Sequence, residues 1–144
     1  MLFSKACTYA IRASILITRK ETMEKRKFIP LRELSDELGL SFHFLTKIMQ
    51  VLTEAKLLES FKGPKGGVGF VKPANKIMLI DIVAAIDGLD LFTECAMGLP
   101  GCGEETPCPL HNAWAKRRTN IMNLLSKTSL ANLARDINSK TLRN

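Results

Sequence analysis

With 144 residues, 46% of them hydrophobic, the chain has material for one compact core and is too short for two full domains. Its 21 Lys+Arg against 14 Asp+Glu give a net charge of +7, which attracts polyanions, nucleic acid foremost. The opening MLFSKACTYAIRA interrupts its apolar pattern with charge and offers no small-residue cleavage site. That argues against a secretory leader or a membrane span and gives the expectation of a cytoplasmic protein, where four cysteines read as metal ligands or redox thiols rather than a disulfide framework.

The first helix is expected from Leu2 to about Arg19, because Ala6, Tyr9, Ala10, Ala13, Leu16 and Ile17 recur at three- and four-residue spacing, with Cys7 at the edge of the stripe. Lys20 to Phe28 is charged and aperiodic and reads as a solvated helix end and loop. Pro30 suits the first turn of a second helix with Leu31, Leu34 and Leu38 inward, and Gly39 suits its left-handed stop. Ser41 can cap a third helix, in which Leu45, Ile48, Met49 and Leu52 share one face. The result is a helix-turn-helix.

The outward side of that third helix carries His43, Lys47 and Gln50, with Thr46 on its flank and Phe42 beside the cap. Polar and basic side chains near the start of a recognition helix can reach base edges in the major groove, and Ser41 can hold a phosphate. An ordinary solvated helix face is the competing explanation. Two β-prone runs, Leu57 to Lys62 and Val68 to Lys72, then flank the tip Gly63-Pro64-Lys65-Gly66-Gly67. Lys62 and Lys65 charge this tip, while Gly66 and Gly67 permit positive φ and close approach to another surface. A helix-turn-helix followed by a basic, glycine-rich hairpin is a winged helix, a mainly α fold with a small β wing.

Leu79, Ile82, Val83 and Ile86 mark a further helix ending at Gly88. After the stretch CAMGLPGCGEETPCPLH, a long helix from Pro109 carries Leu110, Ala113, Trp114, Ile121, Leu124 and Leu125, and such a helix beyond a closed core calls for a partner surface. A homodimer binding a palindromic operator is the economical expectation. Lys116, Arg117 and Arg118 read as a solvated face, and Leu130, Leu133, Ala134 and Ile137 as a last short helix. The chain thus divides into a DNA-binding part (1–90), a cysteine-rich loop (91–109) and a dimerisation part with a terminal helix (110–144).

Three thiols fall in the cysteine loop and an imidazole just past it. Cys108 is expected to open the long helix, with His111 one turn on, and the glycine- and proline-bearing loop can fold Cys95 and Cys102 toward them. Glu104 and Glu105 read as exposed charges. Spacing alone leaves an iron–sulfur cluster, a Cys₃His zinc site and metal-free thiols all open. No phosphate loop, paired acids or nucleophile–base motif is present, so the chain reads as a non-enzyme, and a small electron-transfer protein, the alternative from another class, leaves the wing and the basic helix face without a use.

The stretches YAIRA, PLRELSDELGLSFHFLTKIMQVL, GPKGGVGF, LIDIVAAIDG and CPLHNAW together resemble the Rrf-two family of bacterial winged-helix regulators, along most of the chain and above all its iron–sulfur branch, typified by IscR and NsrR. The IscR-like resemblance implies a [2Fe–2S] cluster on Cys95, Cys102, Cys108 and His111, whose state, set by iron, oxygen or nitric oxide, controls operator affinity. The NsrR-like alternative is a [4Fe–4S] cluster that in some members takes an Asp from the first helix; here that position is Thr8. Three departures stand out. The first cysteine gap is one residue longer than in typical IscR proteins, Lys62 replaces an arginine that enters the minor groove, and Thr46 replaces a glutamate involved in base choice.

Overall fold

Ser4 accepts the Cys7 N–H at 3.0 Å and so starts the first helix, α1, at Lys5 rather than Leu2. The computed structural model describes residues 1–143 and carries α1 through to Glu24, a full turn beyond Arg19, closing it with Lys25 in the left-handed region at φ 55°. The reason lies in Lys20, which was expected in solvent. Its side chain is only 8% exposed, and its Nζ meets Glu33 at 2.7 Å, Glu24 at 3.4 Å and Glu37 as well. Arg26 holds the other side of Glu33 with a two-pronged contact at 2.8 Å and also reaches Glu24. Burial alone would lower the Lys20 pKa, but hydrogen bonds to Glu33 and Glu37 prevail and raise it.

α2 (Leu31–Leu38) follows Pro30 and ends at Gly39, whose φ of 67° and N–H bond to the Ser35 carbonyl make a left-handed cap. α3 (Phe42–Glu54) begins where the Ser41 hydroxyl accepts the Phe44 N–H at 3.1 Å. Leu45, Ile48, Met49 and Leu52 are buried, as their spacing requires.

The wing is an antiparallel pair, β1 (Leu58–Phe61) and β2 (Gly67–Phe70), in the register Leu58↔Phe70 and Phe61↔Gly67. Ile29 pairs with Val68 on the free edge of β2 through two bonds of 3.0 Å, so the segment before α2 protects that edge. α4 (Leu79–Ile86) completes the winged helix. α5 (His111–Lys127) and α6 (Leu130–Asp136) follow the cysteine loop. No helix among the described residues is long and apolar enough to cross a membrane.

The main core gathers Ala13 and Ile17 of α1 with Leu34, Leu45, Leu52, Ile82, Ile29 and Leu58. Leu130, Ala134 and Leu142 belong to the same core, so the tail folds back on α1, and Arg19 donates to the Ala134 and Ile137 carbonyls at 2.6 and 2.7 Å. A second cluster joins Cys7, Val83, Phe92 and Leu125, with Ile121 packed beside them. α5 is therefore split. Ile121 and Leu125 face inward, while Leu110, Ala113, Met122 and Leu124 are exposed, Leu124 by 65%.

Candidate functional site

On α3, Phe42, His43, Lys47 and Gln50 are exposed together with the cap Ser41, so the outward face read from the sequence exists as one surface. Thr46 is half-buried and its hydroxyl donates to the Phe42 carbonyl at 2.7 Å, leaving its oxygen lone pairs and methyl for a partner. The Ser41 oxygen serves the cap, which leaves its proton free to donate.

In the wing, Lys62 and Lys65 are exposed on the tip. The glycines meet expectation only in part, at Gly67. Positive φ falls on Gly63 (117°) and Gly67 (153°), not on Gly66. The close approaches are internal: a Cβ on Gly66 would stand 2.2 Å from the Phe61 carbonyl oxygen, and one on Gly67 2.1 Å from that of Ile29. These glycines let the tip close and let β2 lie against the Ile29–Pro30 backbone.

The cysteine loop is a run of turns. Gly98 N–H bonds the Cys95 carbonyl at 3.0 Å, Cys102 N–H that of Leu99 at 3.3 Å, and the Thr106 hydroxyl that of Gly101 at 2.7 Å. Gly98 (φ 61°) and Gly101 (φ 78°) take the left-handed corners. The outcome is convergence: the sulfurs of Cys95, Cys102 and Cys108 all lie within 4.8 Å of one another, half-buried, a group able to hold a metal ion. His111 Nδ1 is 3.6 Å from the Cys102 sulfur. Cys108 does not open α5. It precedes the helix, whose first residue is His111, and the two meet through a turn in which His111 N–H bonds the Cys108 carbonyl at 3.0 Å.

Local polarity prepares the sulfurs unequally. The backbone N–H groups of Leu99 and Met97 point at Cys95 and lower its pKa, favouring a thiolate. For Cys102 the Cys108 N–H, at 3.5 Å, pulls downward, but the thiols of Cys108 and Cys95 and the local burial outweigh it and raise the pKa. Cys7 is a different case. It is fully buried, and burial followed by the Asp87 carboxylate pushes its thiol up to about 12.

Two further residues, to which sequence pattern alone gives no role at the site, hold the loop to α5. Trp114 Nε1 and Arg118 Nη1 both donate to the Glu94 carbonyl, at 2.9 and 2.8 Å, one residue before Cys95. Arg118 is thus half-buried, not part of a solvated face with Lys116 and Arg117. The four-residue spacing of Trp114 and Arg118 was the available signal.

The donor set suits a soft or borderline metal. Thiolates around one tetrahedral metal at about 2.3 Å stand about 3.8 Å apart, inside the 4.8 Å span of the triad, and the His111 imidazole beside Cys102 is the candidate fourth donor. The same four donors match in number the protein positions of a [2Fe–2S] cluster.

Known proteins agree with this architecture. The IscR regulator of Vibrio campbellii is 30% identical over 108 residues, covering 75% of this chain and 64% of its own length, so the chain spans slightly less than two thirds of that relative. Protein aau3 of Rhizobium meliloti is 32% identical over 136 residues, 94% of this chain and 86% of its own. The crystal structure of CymR from Staphylococcus aureus superposes with a TM-score of 0.72 at 26% identity, over 94% of this chain and 99% of that one. The Rrf2 family, described as iron-dependent transcriptional regulator, matches residues 3–136. On this match, and with the helix-turn-helix and wing described above, the chain belongs to the Rrf2 family of winged-helix transcription regulators, a family of regulators and not of enzymes.

Proposed function

We propose that the protein is a cytoplasmic homodimer that binds a palindromic operator through Ser41, Phe42, His43, Thr46, Lys47 and Gln50 of the recognition helix and Lys62, Lys65, Gly66 and Gly67 of the wing. Its affinity is set by an iron–sulfur cluster, [2Fe–2S], on Cys95, Cys102, Cys108 and His111. The observation that carries this reading is the convergence of three sulfurs from a 14-residue loop, with an imidazole nitrogen beside them. When bound, such a cluster supplies a redox- and oxidant-sensitive centre.

The chain's own residues give the site a mechanical outlet. Glu94, next to Cys95, is tied to Trp114 and Arg118 of α5, and α5 is packed through Ile121 and Leu125 on α1 and α4. Reordering the loop shifts α5, the helix whose exposed Leu110, Ala113 and Leu124 would meet a second copy, and with it the spacing of two recognition helices.

A second reading, thiol-based control without a cluster, is favoured by the lowered pKa of Cys95 beside two other thiols and by the likeness to CymR. Zinc in the Cys₃His set is a third. Anaerobic purification with counts of iron, acid-labile sulfide and zinc separates them. The cluster reading expects coloured protein with about two iron and two sulfide per chain. Colourless protein with one zinc per chain supports zinc, and metal-free protein whose DNA affinity follows thiol oxidation supports the second reading.

A further inference from the structure

Arg32, on the first turn of α2, places its guanidinium over the ring of Phe42 at 4.2 Å. Phe42 is the first residue of the recognition helix and is 38% exposed, so the ring and the guanidinium over it are both open to a partner. Arg32 and Phe42 line one depression together with Ser60, Phe61, Gly63 and Gly67 of the wing. The guanidinium therefore stands between the start of the reading helix and the wing.

Its charge is uncompensated. Glu33, the adjacent carboxylate, is taken by Arg26 and Lys20, and among the described residues no acid pairs with Arg32, Asp36 one turn on included. Stacking on an aromatic face fixes the plane of a guanidinium while leaving its edge N–H donors free, a geometry suited to a phosphate and unavailable to lysine.

We propose that Arg32 binds a DNA phosphate, held ready by Phe42, at the place where the first helix of a helix-turn-helix passes the duplex backbone. Phe42 is then the platform for a backbone contact rather than a base reader. The inference rests on reading the α3 face and the wing as the DNA surface.

The test measures binding of the full-length protein to a random-sequence duplex by fluorescence anisotropy, from about 50 to 200 mM salt. Arg32→Ala is expected to weaken binding to all sequences and to lower the slope of log affinity against log salt by about 0.9 for each phosphate no longer neutralised. Phe42→Leu keeps the charge and is expected to keep the slope while weakening affinity, and Arg32→Lys to behave in the same way. A wild-type slope in an Arg32→Ala protein of unchanged helix content overturns the proposal. So does a changed base preference in a random-duplex selection, which would make Arg32 a base reader. If Lys62→Ala lowers the slope and Arg32→Ala does not, the Arg32 assignment alone falls. If the wild type shows no salt-dependent binding, the underlying DNA surface falls with it.

Discussion

His111 Nδ1 lies 3.6 Å from the sulfur of Cys102, on a ring that projects from the first residue of α5, while the three sulfurs come from the loop before it. The imidazole stands beside the triad, whereas each sulfur is one of its three members. His111→Ala is therefore expected to retain a labile cluster with a shifted potential, and Cys95→Ala, Cys102→Ala or Cys108→Ala to lose it. Cys7→Ser should leave iron and sulfide content unchanged, because Cys7 lies in the α1–α4–α5 cluster and its thiol stays protonated. Iron and sulfide counts on anaerobic protein check all five variants, and loss of cluster in Cys7→Ser would refute the ligand set.

Position and sequence choice should separate on the DNA face. Lys62→Ala removes a charge from the exposed wing tip and is expected to reduce the salt slope by about 0.9 for each phosphate released, with little change in preferred sequence. Substituting Thr46 or Gln50 is expected to change base preference, at about 1–3 kcal/mol for each base no longer read. Uniform weakening across a randomised duplex pool would place Thr46 and Gln50 at the backbone instead.

The dimer is tested best at Leu124. Ile121 packs on the protein's own cluster, so a charge there would damage the fold of the single chain as well as any interface. Leu124 is 65% exposed and makes no such demand. Leu124→Asp should dissociate a dimer, with an unchanged monomer fold and reduced operator affinity, as read by sedimentation and circular dichroism. A wild type that sediments as a monomer at micromolar concentration contradicts the assembly.

The Lys20 network links the end of α1 to α2, the first helix of the DNA-binding motif. Its carboxylates are 29–43% exposed, which places its worth between that of surface and buried pairs. Lys20→Met should lower stability by about 1–3 kcal/mol, measured by urea unfolding. The Glu33 carboxyl is held at about 2, first by Arg26 and then, against the opposing effect of burial, by Lys20. A depressed folded pKa gives stability that is complete above the unfolded value and is lost as pH falls toward the folded one. Wild type should therefore lose more stability than Glu33→Gln between about pH 5 and pH 2. Equal losses would remove Glu33 from this role.

Much of the molecule was legible from local rules. The buried face of α3, its Ser41 cap, the Gly39 stop and the glycine-rich hairpin follow from periodicity and backbone preference, which act over a few residues. The candidate loop was equally visible, because three cysteines and a histidine within 17 residues stand out in a chain with four cysteines and two histidines.

Long-range geometry decided the rest. A lysine in a charged stretch reads as solvated until Glu33 and Glu37, on another helix, are brought beside it. Gly67 reads as a surface for a partner until Ile29 is found against its backbone, and Ile121 reads as an interface residue until Cys7, Val83 and Phe92 are found beneath α5. The sequence by itself determined which segments form helices and hairpin, since hydrophobic period and capping are local properties. Which face of α5 is free, which glycines the fold itself requires, and that three cysteine sulfurs converge with His111 beside Cys102 became visible in the folded chain, because burial and convergence depend on residues far apart in sequence.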